Sequence, residues 1–217
     1  MNNTSISAVI FDMDGLMIDS EPFHCMAFDS ALKKFGSSLS KEENNANYVG
    51  IGDVAEATDL IKKRNLKISY QELLKLKNAE YLKIIKNNLI PMPGLLELVE
   101  YLYQKKYDMA VASGSSLDVI ELVTDKFQIK DKFKVFFSSE NLPAGKPNPD
   151  VFLQTAKLLN YPPANCLVLE DAPSGLQAAK SAGMKCIIVP SRETKTFDFS
   201  SADFVLNNLK EVIDILK

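Results

Sequence analysis

Short apolar runs separated by longer amphipathic stretches set the rhythm of this chain. Ala8-Val9-Ile10-Phe11, Met109 to Ser113, Val135 to Phe137, Cys166 to Leu169 and Cys186 to Val189 are apolar runs of strand length, bounded by polar or turn-forming residues. Between them Leu95, Leu98, Val99 and Leu102 recur at i, i+3, i+4 and i+7. Ile120, Val123 and Phe127 make a second helical stripe, and Phe152, Thr155, Ala156 and Leu159 a third. Strands alternating with helices of this length predict βαβ units, hence an α/β fold with a parallel, doubly wound sheet and helices on both faces. Phe204-Val205-Leu206 is expected to add an edge strand before a closing helix.

The segment from Glu21 to Asn88 breaks that rhythm. It has no strand-like run and three helical stretches, over 21–36, 53–65 and 70–88. Its place directly after the first strand predicts a small all-helical domain inserted into the core. We expect a core over 1–16 and 92–217 and a helical domain over 17–91. Leu16 to Ser20 and Leu89 to Gly94 would be the linkers, with Pro91-Met92-Pro93-Gly94 turning the chain back to the core.

Composition narrows the function. At 217 residues and 46% hydrophobic, the chain can bury a full core and a small appended domain. The net charge of −3, without a long basic tract, argues against nucleic acid or an anionic membrane as a partner. Cys25, Cys166 and Cys186 are far apart, form no CxxC and have only His24 as a companion, so a zinc site is not expected. Reduced thiols, no signal-peptide layout and no apolar run near membrane length suggest a cytoplasmic protein, expected to be a monomer.

In open parallel sheets, ligands bind beyond the carboxyl ends of the strands. The first run ends in Asp12-Met13-Asp14-Gly15. Strand side chains alternate faces, so the two acids share one, where they repel by roughly 4 kcal/mol at an effective dielectric near 20. A bound cation, or a division into one protonated and one ionised carboxyl, explains why a chain keeps them there. The second run ends in Ser113-Gly114-Ser115, offering hydroxyls and amide donors to an anion. Lys146 follows the third run, with Pro147 biasing its backbone toward extension, and the fourth ends in Glu170-Asp171. Each motif has a plainer reading alone: a turn, a helix cap, a surface lysine. Together, each beyond a strand, they suit a phosphoryl group and a divalent cation.

With Gly145-Lys146-Pro147, Ile18-Asp19-Ser20-Glu21-Pro22 and Gly175-Leu176-Gln177-Ala178-Ala179, these motifs make the chain resemble the haloacid dehalogenase superfamily of phosphohydrolases. The resemblance covers essentially the whole chain. It implies a Rossmann-like core with a helical cap, and activity as a Mg²⁺-dependent phosphatase on a small phosphorylated metabolite through an aspartyl-phosphate. Asp12 would be the nucleophile, Asp14 the general acid and base, and Ser113 a ligand of the phosphoryl group. Lys146 would offset the charge and keep Asp12 ionised. Asp12, Asp171, Glu170 and the Asp14 carbonyl would hold Mg²⁺, with Ser113, Gly114 and Ser115 contacting substrate.

The cap would select the substrate and, by closing on the two linkers, exclude water. His24 and Lys77 occupy positions that face the active site in β-phosphoglucomutase, which the chain also resembles. Lys77 falls on the apolar stripe of Tyr70, Leu73, Leu74, Tyr81, Ile84 and Ile85, where a snorkelling lysine is the plainer reading. A hexose-phosphate mutase is the alternative activity. Against it, the stretch Tyr48-Val49-Gly50-Ile51-Gly52-Asp53 ends in an acid where the mutase clamps a second phosphate with arginine. Leu117 also replaces the mutase's asparagine after the second motif.

Overall fold

The computed structural model describes residues 5–49 and 51–217. The chain divides into two compact units, Met1–Asp19 with Ile90–Lys217, and Ser20–Leu89.

The larger unit is a six-stranded sheet with a continuous run of parallel pairs. Its strands are β1 (Ala8–Phe11), β2 (Asp108–Ser113), β3 (Val135–Ser138), β4 (Cys166–Glu170), β5 (Lys185–Ile188) and β6 (Phe204–Val205), in the order β3-β2-β1-β4-β5-β6. The pleat sorts the apolar runs into two faces. Ala8, Ile10, Ala110, Ala112, Val168 and Ile188 share one core cluster with Phe152, Ala156, Leu176 and Ala178 of two helices. These are α7 (Asp150–Leu159) and α8 (Pro173–Ser181). Helix α5 (Leu95–Gln104) buries Leu95, Leu98, Val99 and Leu102 and packs on β2 outside that cluster, in keeping with the opposite face. Helix α6 (Leu117–Lys126) follows β2, and α9 (Val212–Ile215) closes the chain. β1 is central and fully buried, so its carboxyl end opens in the middle of the sheet.

The second unit holds helices α1 (Glu21–Lys33), α2 (Lys41–Asn47), α3 (Asp53–Arg64) and α4 (Tyr70–Asn88). Helix α2 is absent from the expected set because Lys-Glu-Glu-Asn-Asn-Ala-Asn carries no apolar stripe. It is set by its cap, the Ser40 hydroxyl accepting from the Glu43 N–H at 3.1 Å. Cys25, Phe28, Leu32, Tyr48, Leu60 and Leu73 form the unit's own core. The division falls at 19/20 and 89/90, inside the 17–91 boundary read from the sequence. Ile18 bridges Pro91, and the Met92 N–H donates to the Met17 carbonyl at 2.9 Å, which ties both crossing strands of chain to the sheet unit.

Candidate active site

The carboxyl ends of β1, β2 and β4 deliver Asp12, Ser113 and Glu170-Asp171 to one rim of the sheet, because these strands are adjacent and in parallel register. Asp12 is 6% exposed, Glu170 1% and Asp171 5%. The Lys146 ammonium donates to Asp12 Oδ1 at 2.5 Å and to Glu170 Oε1 at 2.7 Å. The Lys146–Pro147 peptide is cis. Glu170 Oε2 accepts from the N–H groups of Asp171 and Ala172 at 2.9 and 3.0 Å, so that carboxylate is fixed at both oxygens.

Asp14 is held apart from this group. Its Oδ2 accepts from Ser115 Oγ at 2.7 Å and Ser113 Oγ at 3.2 Å, and the Ser115 N–H donates to Ser113 Oγ at 2.9 Å. Gly114 lies between the two serines and is exposed. Gly15 takes the left-handed conformation, φ 83°, that a side chain strains to adopt, and a Cβ there would strike the Asp171 carboxylate.

Burial dominates the electrostatics. It pushes the Asp12 carboxyl up to about 8; Lys146 pulls it down, and Glu170 and Asp14 push it up again. Burial, then Glu170 and Asp12, hold Asp171 well above the ordinary carboxylate range, while the Ser191 hydroxyl bonds to it and opposes that rise. Burial pulls Lys146 down, but the charges of Asp12 and Glu170 outweigh it and keep its pKa above the ordinary value. Lys146, expected to keep Asp12 ionised, is the group that lowers the Asp12 carboxyl, against burial and the neighbouring acids. Among the described residues, carboxylate oxygens of Asp12, Glu170 and Asp171 come within 4.8 Å of one another. Oxygen donors so closely gathered, buried and short of positive charge fit a divalent cation. The Asp14 carboxylate is not among them, being turned to the serines.

His24 and Lys77 belong to the helical unit and meet there around Asp53. Lys77 is 1% exposed, so it does not snorkel; its ammonium bonds Asp53 Oδ2 at 2.6 Å, over the rings of Tyr81 and Phe28. The His24 ring stacks on Tyr81 at 4.3 Å, with Nδ1 3.9 Å from Asp53 Oδ1. Gly50, within the stretch Tyr48 to Asp53 compared above with the mutase, lies outside the described residues. Ser191, not singled out in the sequence, follows β5 and is buried against Asp171. The strand-end rule applied to the fifth apolar run, which leads into Pro190-Ser191, is the signal that would have found it.

A doubly wound sheet with this buried acid and lysine group at its strand ends, and a helical unit inserted after β1, defines a hydrolase of the α/β class. The haloacid dehalogenase-like hydrolase profile matches residues 9–189, and the chain belongs to that family. Hexitol phosphatase B of Escherichia coli K12 is 33% identical over 210 residues, covering 95% of this chain and 94% of its own length. The structure of CbbY from Rhodobacter sphaeroides in complex with phosphate has the same fold, with a TM-score of 0.88 at 24% identity, covering 95% of this chain and 96% of that one. β-Phosphoglucomutase from Clostridium difficile superposes with a TM-score of 0.79 at 27% identity, covering 97% and 96%. Among the described residues no helix is long and apolar enough to cross a membrane.

Proposed function

We propose that the protein is a Mg²⁺-dependent phosphatase that hydrolyses a small phosphorylated sugar, polyol or nucleoside through an aspartyl-phosphate. It is a phosphoric monoester hydrolase of its family. The observation that carries the finer reading is the buried group of Asp12, Lys146, Glu170 and Asp171 beside an Asp14 held by two serine hydroxyls.

In the proposed reaction a carboxylate oxygen of Asp12 attacks phosphorus. The aspartyl O–P bond forms as the ester P–O bond breaks. Asp14 gives its proton to the departing oxygen, then takes one from the water that attacks the phosphoenzyme; the aspartyl O–P bond breaks and inorganic phosphate leaves. Ser113, Gly114 and Ser115 bind the phosphoryl oxygens, and Lys146 places its charge beside Asp12 where negative charge builds up. Mg²⁺ held by Asp12, Asp171, Glu170 and the Asp14 carbonyl would supply further charge stabilisation to the phosphoryl oxygens.

His24 and Lys77 are assigned to selecting the leaving group. The charge of Lys77 is paired with Asp53, so the cluster suits hydroxyl groups better than a second phosphate. A polyol or sugar monophosphate fits this, and the hexitol phosphatase relative supports that end of the range. The test is inorganic phosphate release from a panel of phosphorylated sugars, polyols and nucleosides, with Mg²⁺ and with chelator. Release that Mg²⁺ supports and chelator abolishes is expected; isomer interconversion primed by a bisphosphate, without net release, would establish the mutase instead.

A further inference from the structure

Ser113 and Ser115 are two hydroxyl donors, one turn of loop apart, that converge on a single oxygen, Oδ2 of Asp14, at 3.2 and 2.7 Å. The geometry is built rather than incidental. The Ser115 N–H donates to Ser113 Oγ at 2.9 Å, which fills an acceptor site on that oxygen and directs its proton toward Asp14. Ser113 is buried at the end of β2, its position fixed by the strand. A hydroxyl has one proton to donate. While both serines donate to Asp14, neither can donate to a phosphoryl oxygen.

We infer that Ser113 and Ser115 form one anion seat, filled by the Asp14 carboxylate in the free enzyme and taken over by the phosphoryl group of the substrate, which releases Asp14 to take up a proton from solvent and carry it to the leaving oxygen. This rests on the phosphatase reading above. Carboxylate and phosphoryl oxygens are both anionic acceptors of charge-assisted hydrogen bonds, so one pair of donors serves either. Ser115 is then a positioning residue for Asp14, with the shorter of the two bonds, and phosphate binding must displace Asp14 before it can proceed.

Inorganic phosphate, titrated calorimetrically into the whole protein with Mg²⁺ present, tests the seat. Asp14→Ala should bind phosphate about tenfold more tightly than the wild type, because two charge-assisted bonds need no longer be broken. Loss of charge repulsion alone would also tighten binding, so the comparison is repeated with Ser115→Ala. The seat requires the gain from Asp14→Ala to shrink to about twofold in that background, whereas simple repulsion leaves it unchanged. Ser115→Thr, which keeps the hydroxyl, should bind phosphate as the wild type does. An equal gain in both backgrounds, or no gain, overturns the inference. Asp14→Val, whose side chain also lacks an acceptor, replaces Asp14→Ala if the latter does not fold. A wild type that releases no phosphate from any ester would defeat the proposed activity and leave the binding cycle readable.

Discussion

Gly175 stands so close to Glu170 that a Cβ at position 175 would overlap the carboxylate. Glu170 cannot swing aside, because Lys146 holds one oxygen and the N–H groups of Asp171 and Ala172 hold the other. Gly15 stands to Asp171 in the same way. Two glycines thus set how closely chain passes the two acids. Gly175→Ala is expected to cost about 1–3 kcal/mol through overpacking. It should also lower kcat/KM for phosphate release by roughly a hundredfold, since a small displacement of a fixed group is enough. Thermal melting and steady-state kinetics check both; wild-type turnover in a folded Gly175→Ala protein would show that the position of Glu170 is immaterial.

Asp12→Asn separates chemistry from folding. The amide cannot form the acyl-phosphate, so turnover should fall by at least about a thousandfold. Stability should move the other way. Burial disfavours the ionised Asp12, and a neutral amide of the same shape escapes that cost. In chelator near pH 8 the variant should therefore melt at or above the wild type. A variant that turns over normally removes Asp12 from the chemistry.

The same carboxyl predicts a pH dependence with a definite sign. Folded Asp12 keeps its proton up to about 8, against 3.8 for an ordinary aspartate, and Asp171 is shifted in the same direction. Between those values the unfolded chain has released a proton that the folded chain retains. The contribution is full below 3.8 and is lost as pH rises toward about 8. A divalent cation binds the ionised acids and competes with those protons. Melting temperatures in chelator should fall from about pH 5 to about pH 8, and the rise produced by Mg²⁺ should grow over that range. The slope should be shallower in Asp12→Asn; equal slopes in the two proteins would rule out Asp12 as the group responsible.

The sheet was legible because its central strands β1, β2 and β4 are buried on both faces and read as continuous apolar runs, β1 most clearly. Helix α2 was not, since a cap rather than a periodic stripe makes it. Asp12, Ser113 and Glu170 were legible as a group because position along a strand also fixes position in space, at its carboxyl end, whereas Lys146 lies in the loop after β3 and was read from its motif. What escaped was the pairing. The stripe on α4 placed Lys77 among apolar residues, where snorkelling was the plainer reading, and nothing local tells that Asp53, at the start of another helix, takes its charge. That Asp14 turns to Ser115 is likewise a contact between distant stretches of chain, which periodicity does not record.

The Lys77–Asp53 pair carries the last prediction, an asymmetry. Lys77 is 1% exposed, whereas the Asp53 side chain keeps 37% of its surface. Removing Asp53 strands an ammonium among Phe28 and Tyr81, while removing Lys77 leaves a carboxylate that water can reach. Asp53→Ala should therefore cost about 2–3 kcal/mol, below the full penalty for breaking a buried pair because water reaches the site. Lys77→Met fills the same volume with an apolar chain and should cost about 1 kcal/mol or less. Chemical denaturation followed by helical circular dichroism measures both. If Lys77→Met proves the more damaging, the ammonium contributes more through its aromatic neighbours than through the ion pair, and the charge neutrality assigned to the cluster loses its basis.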